Sequence, residues 1–337
     1  MYVDVFNGDA DGIFSLIQLR KVFPVAADSQ MLISGVKRDN ALLARVSDDQ
    51  ARDAVVHALD ISFDKNTDDL RRILSQGASV FYCDHHQART LFEHERLQCL
   101  IDFAPTVCTG LLMNSYLEGR QRLWAVAAAF GDSLNHVAEA ECAALGLSAA
   151  EVSALRELGV LANYNGYGAS VDDLHYAPED LFRALMIYDS PLAAVADSAA
   201  DAPFAVLRRG FAEDMALAAA ADVVACDDVV RAVMLPAEAW ARRISGTLGN
   251  DLAHANPSQA IVIATPNADG ATLTVSLRAP KVRLEGAGDI CARFDGGGRA
   301  GAGGVNALPV DALEEFVGAV RGYYGGGEDN GASRHPA

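Results

Sequence analysis

Residues 2–12, YVDVFNGDADG, decide the fold, because an apolar stretch runs into a turn of glycine, asparagine and aspartate. Tyr2–Asn7 is typical of a β-strand, and the following residues 12–23, GIFSLIQLRKVF, have the apolar spacing of an amphipathic helix. A strand that leads into a helix across a short polar turn is the repeating unit of parallel α/β sheets. We therefore predict that this strand belongs to such a sheet.

The same alternation continues after the first helix. Further stretches rich in β-branched and apolar residues are predicted as strands, namely Met31–Val36, Ala54–Asp60, Ser79–Asp84 and Gln98–Asp102. Helical segments are predicted between them, near Ala41–Arg45, Asp68–Ser75 and Thr90–Glu95. This pattern indicates the α/β class, with a mostly parallel sheet covered by helices on both faces.

The second part of the chain has a different pattern. From Thr109 it is helical and alanine-rich, with a polar loop at Asn163–Gly168, and Ala202–Ala225 is predicted as one long helix. Later strands are predicted at Val229–Leu235, Ala260–Thr265 and Ala271–Leu277, and later helices at Gly288–Phe294 and Val310–Tyr323. We predict a catalytic domain at 1–190, a helical linker at 191–228, a smaller α/β domain at 229–325 and a disordered tail at 326–337.

The composition of the chain limits the kinds of substrate and the cellular location that we expect. The formal net charge is -18 over 337 residues, and a strongly acidic protein is poorly suited to bind a long nucleic-acid duplex. A small anionic substrate in a locally positive pocket remains compatible with this charge. The chain begins without a basic and apolar leader, and we find no stretch that resembles a membrane span. The six cysteines form no C-x-x-C pair, so we expect reduced thiols and a cytoplasmic location.

Acidic side chains and histidines follow three of the predicted strands. Asp9 and Asp11 follow the first strand, Asp60 ends the third, and Asp84-His85-His86 ends the fourth. One such aspartate alone is more simply explained as a helix N-cap. The carboxyl ends of parallel strands meet at one edge, however, and two carboxylates about 4 Å apart repel by roughly 4 kcal/mol at a dielectric near 20. The cluster therefore predicts a cation, and carboxylates mixed with imidazole suit Mn²⁺ or Mg²⁺.

These residues carry a family resemblance. Asn7–Gly12 resembles the first motif of the DHH phosphoesterases, Asp60 the second, and Asp84-His85-His86 the motif that names the family. Ala129–Asp132 is similar to the fourth motif of that family. Further along, Ser276–Arg278 and Gly296–Gly304 resemble the paired signatures of the DHH-associated C-terminal domain. The motifs occur in the family's order over nearly the whole chain.

The resemblance implies a set of site residues. The implied metal ligands are Asp9, Asp11, Asp60, His85 and Asp132, which would hold two Mn²⁺ ions, with Mg²⁺ or Co²⁺ as substitutes. His86 would face the scissile phosphate and Asp84 would orient a histidine, so both are assigned to catalysis. The residues implied to receive the substrate are Arg278, Gly297, Gly298 and Arg299. To these we add Asn7, beside the cavity, and Arg38, which follows the second strand at the same sheet edge.

Two positions depart from the family's pattern. Many relatives have a histidine ligand four residues before the first aspartate, where this chain has Val5. Asn7 lies closer to the cavity and offers a weaker ligand in its place. Relatives also often have histidine where the glycine-rich run of this chain has Arg299, which retains the ability to bind phosphate.

The predicted function is phosphoesterase hydrolysis by metal-activated water. The resemblance favours short oligonucleotides, linear or cyclic dinucleotides, or nucleotides of the 3′-phosphoadenosine phosphate type as substrates. Two alternatives stay open, a pyrophosphatase or polyphosphatase of the same superfamily and a nucleotide sensor without turnover. The glycine run also matches a dinucleotide-binding pattern, but it follows a predicted helix rather than a strand, which argues against that function. A homodimer stays open as well.

Overall fold

The computed structural model describes residues 1–326 and confirms the α/β class. The chain forms two compact units, Met1–Ala212 and a second that begins at Glu213. The domain boundaries drawn from the sequence stay predictions, and the predicted tail lies outside the described residues except for Gly326. Within residues 1–326, no helix combines the length and apolar character that a bilayer span requires.

The first unit contains a sheet in which every pairing is parallel. Its strands are β1 (Tyr2–Phe6), β2 (Gln30–Ile33), β3 (Val55–Leu59), β4 (Ser79–Asp84) and β5 (Leu97–Ile101). They lie in the order β2-β1-β3-β4-β5. The direction of chain progress reverses between β1 and β3, and in such sheets a crevice opens at that point beyond the carboxyl ends of the strands. The predicted acidic turns follow these two strands.

The first unit also contains helices, some of which pack on the sheet and others on neighbouring helices. They are α1 (Ala10–Val22), α2 (Asp48–Ala51), α3 (Phe63–Ser75), α4 (Thr109–Tyr116), α5 (Arg122–Gly131), α6 (Asn135–Ala144), α7 (Ala149–Asn165), α8 (Pro178–Met186), α9 (Pro191–Ala196) and α10 (Pro203–Ala218), which begins in this unit and ends beyond Ala212. Short 3₁₀ helices occur at Ala27–Ser29, Leu42–Arg45 and Val171–Asp173. Helix α1 is buried on nearly every side because it contacts α4, α5 and α8, which fixes the turn that precedes it.

Two local predictions in this unit were wrong. Thr90–Glu95 is irregular rather than helical, because Leu91 is exposed and Phe92 packs on Phe63 instead of forming one apolar helix face. The polar stretch Asn163–Gly168 is only partly a loop, since α7 continues to Asn165.

The second unit contains a mixed sheet. Its strands are β6 (Asp222–Cys226), β7 (Val230–Met234), β8 (Ala260–Pro266), β9 (Thr272–Arg278), β10 (Gly297–Arg299) and β11 (Ala302–Pro309), in the order β10-β11-β9-β8-β7-β6. Its helices are α11 (Ala239–Ala255), α12 (Ala287–Ala292) and α13 (Leu313–Gly325), with a 3₁₀ turn at Val310–Ala312. The pairing of β7 with β8 is parallel and the other pairings are antiparallel.

The prediction of one helix over Ala202–Ala225 was wrong. Helix α10 ends at Ala218, and residues 222–226 form the edge strand β6, which pairs with β7. The alanine content favoured helix, but Val223 and Val224 are β-branched and fit a sheet edge better than a helix. The predicted helical linker at 191–228 therefore ends in a strand.

The glycine-rich run forms a hairpin rather than an open loop. Gly297–Arg299 pairs with Ala302–Gly304 as β10 and β11. A Cβ atom at Gly303 would lie 2.7 Å from both the Ala287 carbonyl oxygen and Cys291 Sγ, so α12 packs too closely for a side chain. Gly298 adopts φ 152°, a conformation that side chains disfavour. The glycines therefore serve the packing of the hairpin on α12.

A buried ion pair ties β1 to its neighbours in the first unit. Asp4 is fully buried and accepts two hydrogen bonds from Arg20 of α1, one of them 2.8 Å long. It also contacts His57 Nδ1 at 2.8 Å and accepts a 2.6 Å bond from Gln30 Nε2. Burial alone would raise the pKa of Asp4, but the hydrogen bonds from His57 and Arg20 hold it below its usual range.

We expect Arg20→Met to lower the free energy of unfolding by about 3–5 kcal/mol, because it removes the guanidinium group that donates two hydrogen bonds to the buried Asp4 carboxylate. Urea unfolding at neutral pH measures this change. The matched control is Arg52→Met, whose guanidinium pairs with Asp49 on the surface and for which we expect less than about 1 kcal/mol. Equal effects of the two substitutions would contradict a stabilising role for the buried pair.

Candidate metal and phosphoester site

The turn after β1 brings Asp9 to the crevice. A Cβ at Gly8 would overlap the Gly35 carbonyl oxygen, so glycine is required where this turn approaches the end of β2. Asp9 then becomes the N-cap of α1, because its Oδ1 accepts hydrogen bonds from the backbone N–H groups of Asp11 at 3.0 Å and Gly12 at 3.2 Å. The start of α1 therefore fixes the Asp9 carboxylate.

Asp11 faces the start of a second helix. Its Oδ2 accepts a 2.7 Å hydrogen bond from Thr109 N, and its Oδ1 accepts one of the same length from Gly110 N. These N–H groups belong to the first turn of α4, whose dipole favours negative charge at that end. Each carboxylate oxygen keeps a lone pair for a further partner.

Asp60 stands directly after β3 in a strained conformation. Its φ is 59°, in the left-handed region that non-glycine residues rarely adopt, at a cost on the order of 1 kcal/mol. Its backbone N–H donates to Cys83 O at 3.0 Å, and its Oδ1 accepts a 3.0 Å hydrogen bond from Thr109 Oγ1. Strain of this kind is retained where the surroundings hold a side chain in a required direction.

His85 is the point at which the carboxylates meet. Its Nε2 lies 3.5 Å from Asp60 Oδ1, 3.8 Å from Asp11 Oδ2 and 3.8 Å from Asp132 Oδ2. Asp132 comes from the C-terminal end of α5. The structure therefore brings together four of the predicted metal ligands, which come from the ends of β1, β3, β4 and α5.

Asp84 and His86 form a pair beside this cluster. Asp84 is fully buried, and its Oδ1 lies 2.6 Å from His86 Nδ1. Its Oδ2 is buried and has no hydrogen-bond partner among the described residues. Burial by itself would lower the pKa of His86, but the hydrogen bond and charge of Asp84 raise it above its ordinary value. Asp84 thus holds the His86 ring and favours its protonated form.

The electrostatics of the cluster show a shortage of positive charge. Burial, and after it the carboxylates of Asp11 and Asp9, raise the pKa of Asp60 well above its ordinary value. Burial also raises the pKa of Asp132, an effect that the Lys37 charge opposes. A cation bound between these carboxylates would favour their ionised form and so lower the pKa of Asp60 and Asp132 again.

Lys37 supplies one positive charge at this edge. Its Nζ forms an ion pair with Asp9 Oδ2 and donates a 2.7 Å hydrogen bond to Asn163 Oδ1 of α7. Burial by itself would raise the pKa of Asp9 and lower that of Lys37, but their mutual attraction outweighs burial and shifts both in the opposite directions. Both side chains therefore stay charged.

Sequence reasoning missed Lys37, Thr109 and Asn163. The sequence holds one signal for Lys37, since it is a basic residue just beyond the carboxyl end of β2, but the residue predicted to contact substrate there is its neighbour Arg38. Arg38 is exposed at the same turn. The amide of Asn7 donates to Lys37 O at 3.2 Å and to Asn40 Oδ1 at 2.8 Å, and its oxygen accepts a 3.2 Å bond from Asp9 N.

The remaining predicted substrate residues lie in the second unit. Arg278 and Arg299 both align with Ala302 in the β9-β11-β10 ladder, so their side chains leave the same face of the sheet with the small alanine between them. Arg278 Nε donates a 2.7 Å hydrogen bond to Asn250 Oδ1 of α11, which orients its guanidinium group. Gly297 and Gly298 are exposed on the neighbouring strand.

The donor set fits a divalent metal ion. Asp60, His85 and His86 place ligand atoms within 4.8 Å of one another, and Asp11 and Asp132 add carboxylates around His85. Oxygen ligands with one or two imidazoles suit Mn²⁺ or Mg²⁺. The raised pKa of Asp60 and the partnerless oxygen of Asp84 are independent signs that the cluster needs a cation.

Comparison with known proteins identifies the fold. No family model matches the sequence, and no curated protein matches it significantly. Similar solved structures include a manganese-bound RecJ exonuclease (17% identity, TM-score 0.56, 97% of this chain and 91% of that chain). The DHH domain of a protein described as a member of a family of ribosomal proteins is also similar (11% identity, TM-score 0.65, 96% of this chain and 86% of that chain). A pGpG-specific phosphodiesterase from Vibrio cholerae is similar as well (11% identity, TM-score 0.52, 96% of this chain and 99% of that chain). The resemblance to the DHH proteins is therefore confirmed at the level of the fold.

In metal-free protein we expect the free energy of unfolding to fall as the pH rises from about 4, the ordinary carboxyl range, toward the raised pKa of Asp60. The reason is that folded Asp60 holds its proton more tightly than it does in the unfolded chain. Asp60→Asn should flatten this dependence and add about 1–3 kcal/mol at pH 8, part of the carboxylate repulsion.

Urea unfolding in EDTA at a series of pH values measures both effects. The control is Asp68→Asn, which changes a carboxylate on α3 outside the cluster and should leave the pH dependence as it is in the wild type. A wild-type protein whose stability rises steadily over this range would disprove the assignment to Asp60.

Proposed function

We propose that this chain is a metal-dependent phosphoesterase that hydrolyses short oligonucleotides, dinucleotides or related small nucleotide phosphates. The observation that carries the proposal is the convergence of Asp11, Asp60 and Asp132 on His85 Nε2, at 3.5–3.8 Å, at the switch point of the sheet. Several buried carboxylates at one point are useful when a divalent ion binds between them. The DHH fold is compatible with this chemistry.

Asp11, Asp60, His85 and Asp132 would hold the ion. When bound, a divalent ion polarises a phosphoryl oxygen and lowers the pKa of a coordinated water toward neutrality. The protein contributes rigid ligands. The start of α4 fixes Asp11, Thr109 fixes Asp60, and the main chain of Asp60 is held in one strained conformation. Ligands that need no rearrangement lower the cost of forming the active geometry.

His86 would act on the substrate itself. Asp84 occupies its Nδ1, which leaves Nε2 to point toward a ligand, and about a third of the side chain is exposed (34%). Because Asp84 favours the protonated ring, His86 can donate a hydrogen bond from Nε2 to a phosphoryl oxygen and pass a proton to the leaving oxygen. Asp84 is buried and contacts His86 Nδ1 at 2.6 Å, and so positions the ring.

The second unit would recognise an anionic group of the substrate. Arg278 and Arg299 on one face of the sheet offer planar, forked donors that match phosphate. The net charge of -18 argues for a small substrate, since a long strand requires an extended basic surface. Among the proteins of similar fold, the Vibrio cholerae enzyme is described as specific for the dinucleotide pGpG, which favours the same substrate class here.

The decisive measurement is Mn²⁺-dependent hydrolysis of a linear dinucleotide, a cyclic dinucleotide, a short RNA, 3′-phosphoadenosine phosphate and pyrophosphate. We expect turnover of a nucleotide substrate, and a loss of about 10³-fold or more in kcat/KM for Asp84→Ala/His85→Ala, because a metal ligand and the residue that positions His86 are both removed. His254→Ala, an exposed change in the second unit, is the control.

The other outcomes are equally informative. Release of phosphate from pyrophosphate but not from nucleotides would establish the polyphosphatase alternative. Nucleotide binding without turnover in Mn²⁺, Mg²⁺ and Co²⁺ would establish a sensor.

We also expect Arg299→Ala to raise KM about tenfold with little change in kcat, because it removes a charged hydrogen bond that forms in both ground and transition states. Steady-state kinetics on the preferred nucleotide measure this effect. Arg293→Ala removes another exposed arginine, at the end of α12, and should leave KM unchanged. Equal effects of the two would exclude a binding role for Arg299.

A further inference from the structure

We propose that the Lys37 ammonium takes the position of one of the two divalent ions, so that each chain binds a single ion among Asp11, Asp60, His85 and Asp132. The inference rests on the proposed function and concerns its metal content. It begins from Asp9, whose two oxygens are both engaged by the protein. Oδ1 accepts two backbone hydrogen bonds at the start of α1, and Oδ2 is paired with Lys37.

Lys37 is held in place along its whole length. Its backbone N–H donates to Gly166 O at 2.7 Å, and its carbonyl oxygen accepts the Asn7 amide at 3.2 Å. At the other end, Nζ contacts Asp9, Asn163 and the face of the Tyr167 ring, 5.7 Å from the ring centroid. A lysine fixed at both ends by such contacts differs from a surface lysine that reaches into a site by chance.

The ligands that a second ion would need on this side are missing or occupied. Val5, at the end of β1, is fully buried in the apolar core of the sheet and offers no ligand atom. Asn7, the nearest amide, offers only a neutral oxygen that already accepts a hydrogen bond from Asp9 N, while its nitrogen donates to Lys37 O and Asn40 Oδ1. Asp9 is the one carboxylate left on this side, and it is already paired with the Lys37 ammonium.

The two sides of the cluster therefore differ in kind. The side of Asp9 has its own positive charge from the chain, which would repel a divalent ion placed next to it. The side of Asp11, Asp60 and Asp132 has three carboxylates around one imidazole. Among the described residues none of the three forms a close ion pair with a lysine or arginine, and the Lys37 charge reaches only Asp132 of them, from a distance. A divalent ion is expected on the second side only, and Lys37 supplies fixed charge in place of the first.

The number of bound ions tests this directly. Metal-free wild-type protein is titrated with Mn²⁺ by calorimetry, and the loaded protein is examined by electron paramagnetic resonance. We expect one tightly bound ion per chain with the hyperfine pattern of an isolated Mn²⁺. Two ions with an exchange-coupled spectrum would overturn the inference and leave the phosphoesterase intact, whereas no bound ion at all would overturn the proposed function itself.

Variants of Lys37 provide the second arm. Lys37→Gln removes the positive charge and keeps a hydrogen-bond donor for Asp9. Lys37→Met removes both the charge and the donor and keeps an unbranched side chain of similar length. In either variant that retains the wild-type circular dichroism, we expect a second Mn²⁺ to bind, more weakly than the first, with exchange coupling between the ions. Lys65→Gln, on the exposed side of α3, should keep one ion. Folded Lys37 variants that still bind a single ion would show that Lys37 does not occupy the second position.

Discussion

Repulsion between buried carboxylates is the constraint on which the rest of this structure depends. Asp11, Asp60 and Asp84 lie almost entirely out of solvent at one sheet edge, and the charges around Asp60 add to burial in raising its pKa far above the ordinary value. A fold keeps such an arrangement only when something positive offsets it. The helix starts at α1 and α4 and the Lys37 side chain serve this purpose, and the proposed divalent ion would add to them. The parallel sheet brings the acids together, and its surroundings make their proximity tolerable.

The groups that surround these carboxylates come from both near and distant parts of the sequence. This explains which parts of the fold and of the candidate site could be predicted. The strands of the first sheet follow from local alternation of strand and helix patterns. The predicted bounds of Ser79–Asp84 agree with the structure at both ends, and those of the other strands agree within a few residues. The convergence of Asp11, Asp60 and His85 follows from the rule that parallel strands end together. The roles of Lys37 and Asn163 could not be found in this way. The two residues are far apart in sequence, and only the packing of α7 beside the first turn brings them together.

Errors in the second unit have a related cause. Local composition favoured a helix through residue 225 and predicted no strand at the glycine run near residue 298, yet both stretches are strands. In each case the pairing partner decides the structure, namely β7 for the valines of β6 and β11 for the glycine run. Sheet formation depends on neighbours that a window of sequence does not contain. The position of Arg278 and Arg299 on one face follows from this pairing and could not be inferred from their spacing.

The position of Asp9 at the first residue before α1 has a consequence for genetics as well as for structure. The Asp9 carboxylate caps a buried helix and also pairs with Lys37, the only lysine of the cluster within the described chain. Any substitution of Asp9 therefore affects both the stability of the protein and the candidate site. Loss of the cap alone costs about 1 kcal/mol, which lowers protein abundance in a cell whatever happens to the chemistry. Asp132 follows the end of α5 instead of capping a helix start, and its side chain is partly exposed at 17%, so its alleles report on the site more directly. A mutational scan of this protein should therefore separate the two aspartates, with substitutions at position 9 lowering both abundance and activity and substitutions at position 132 lowering mainly activity.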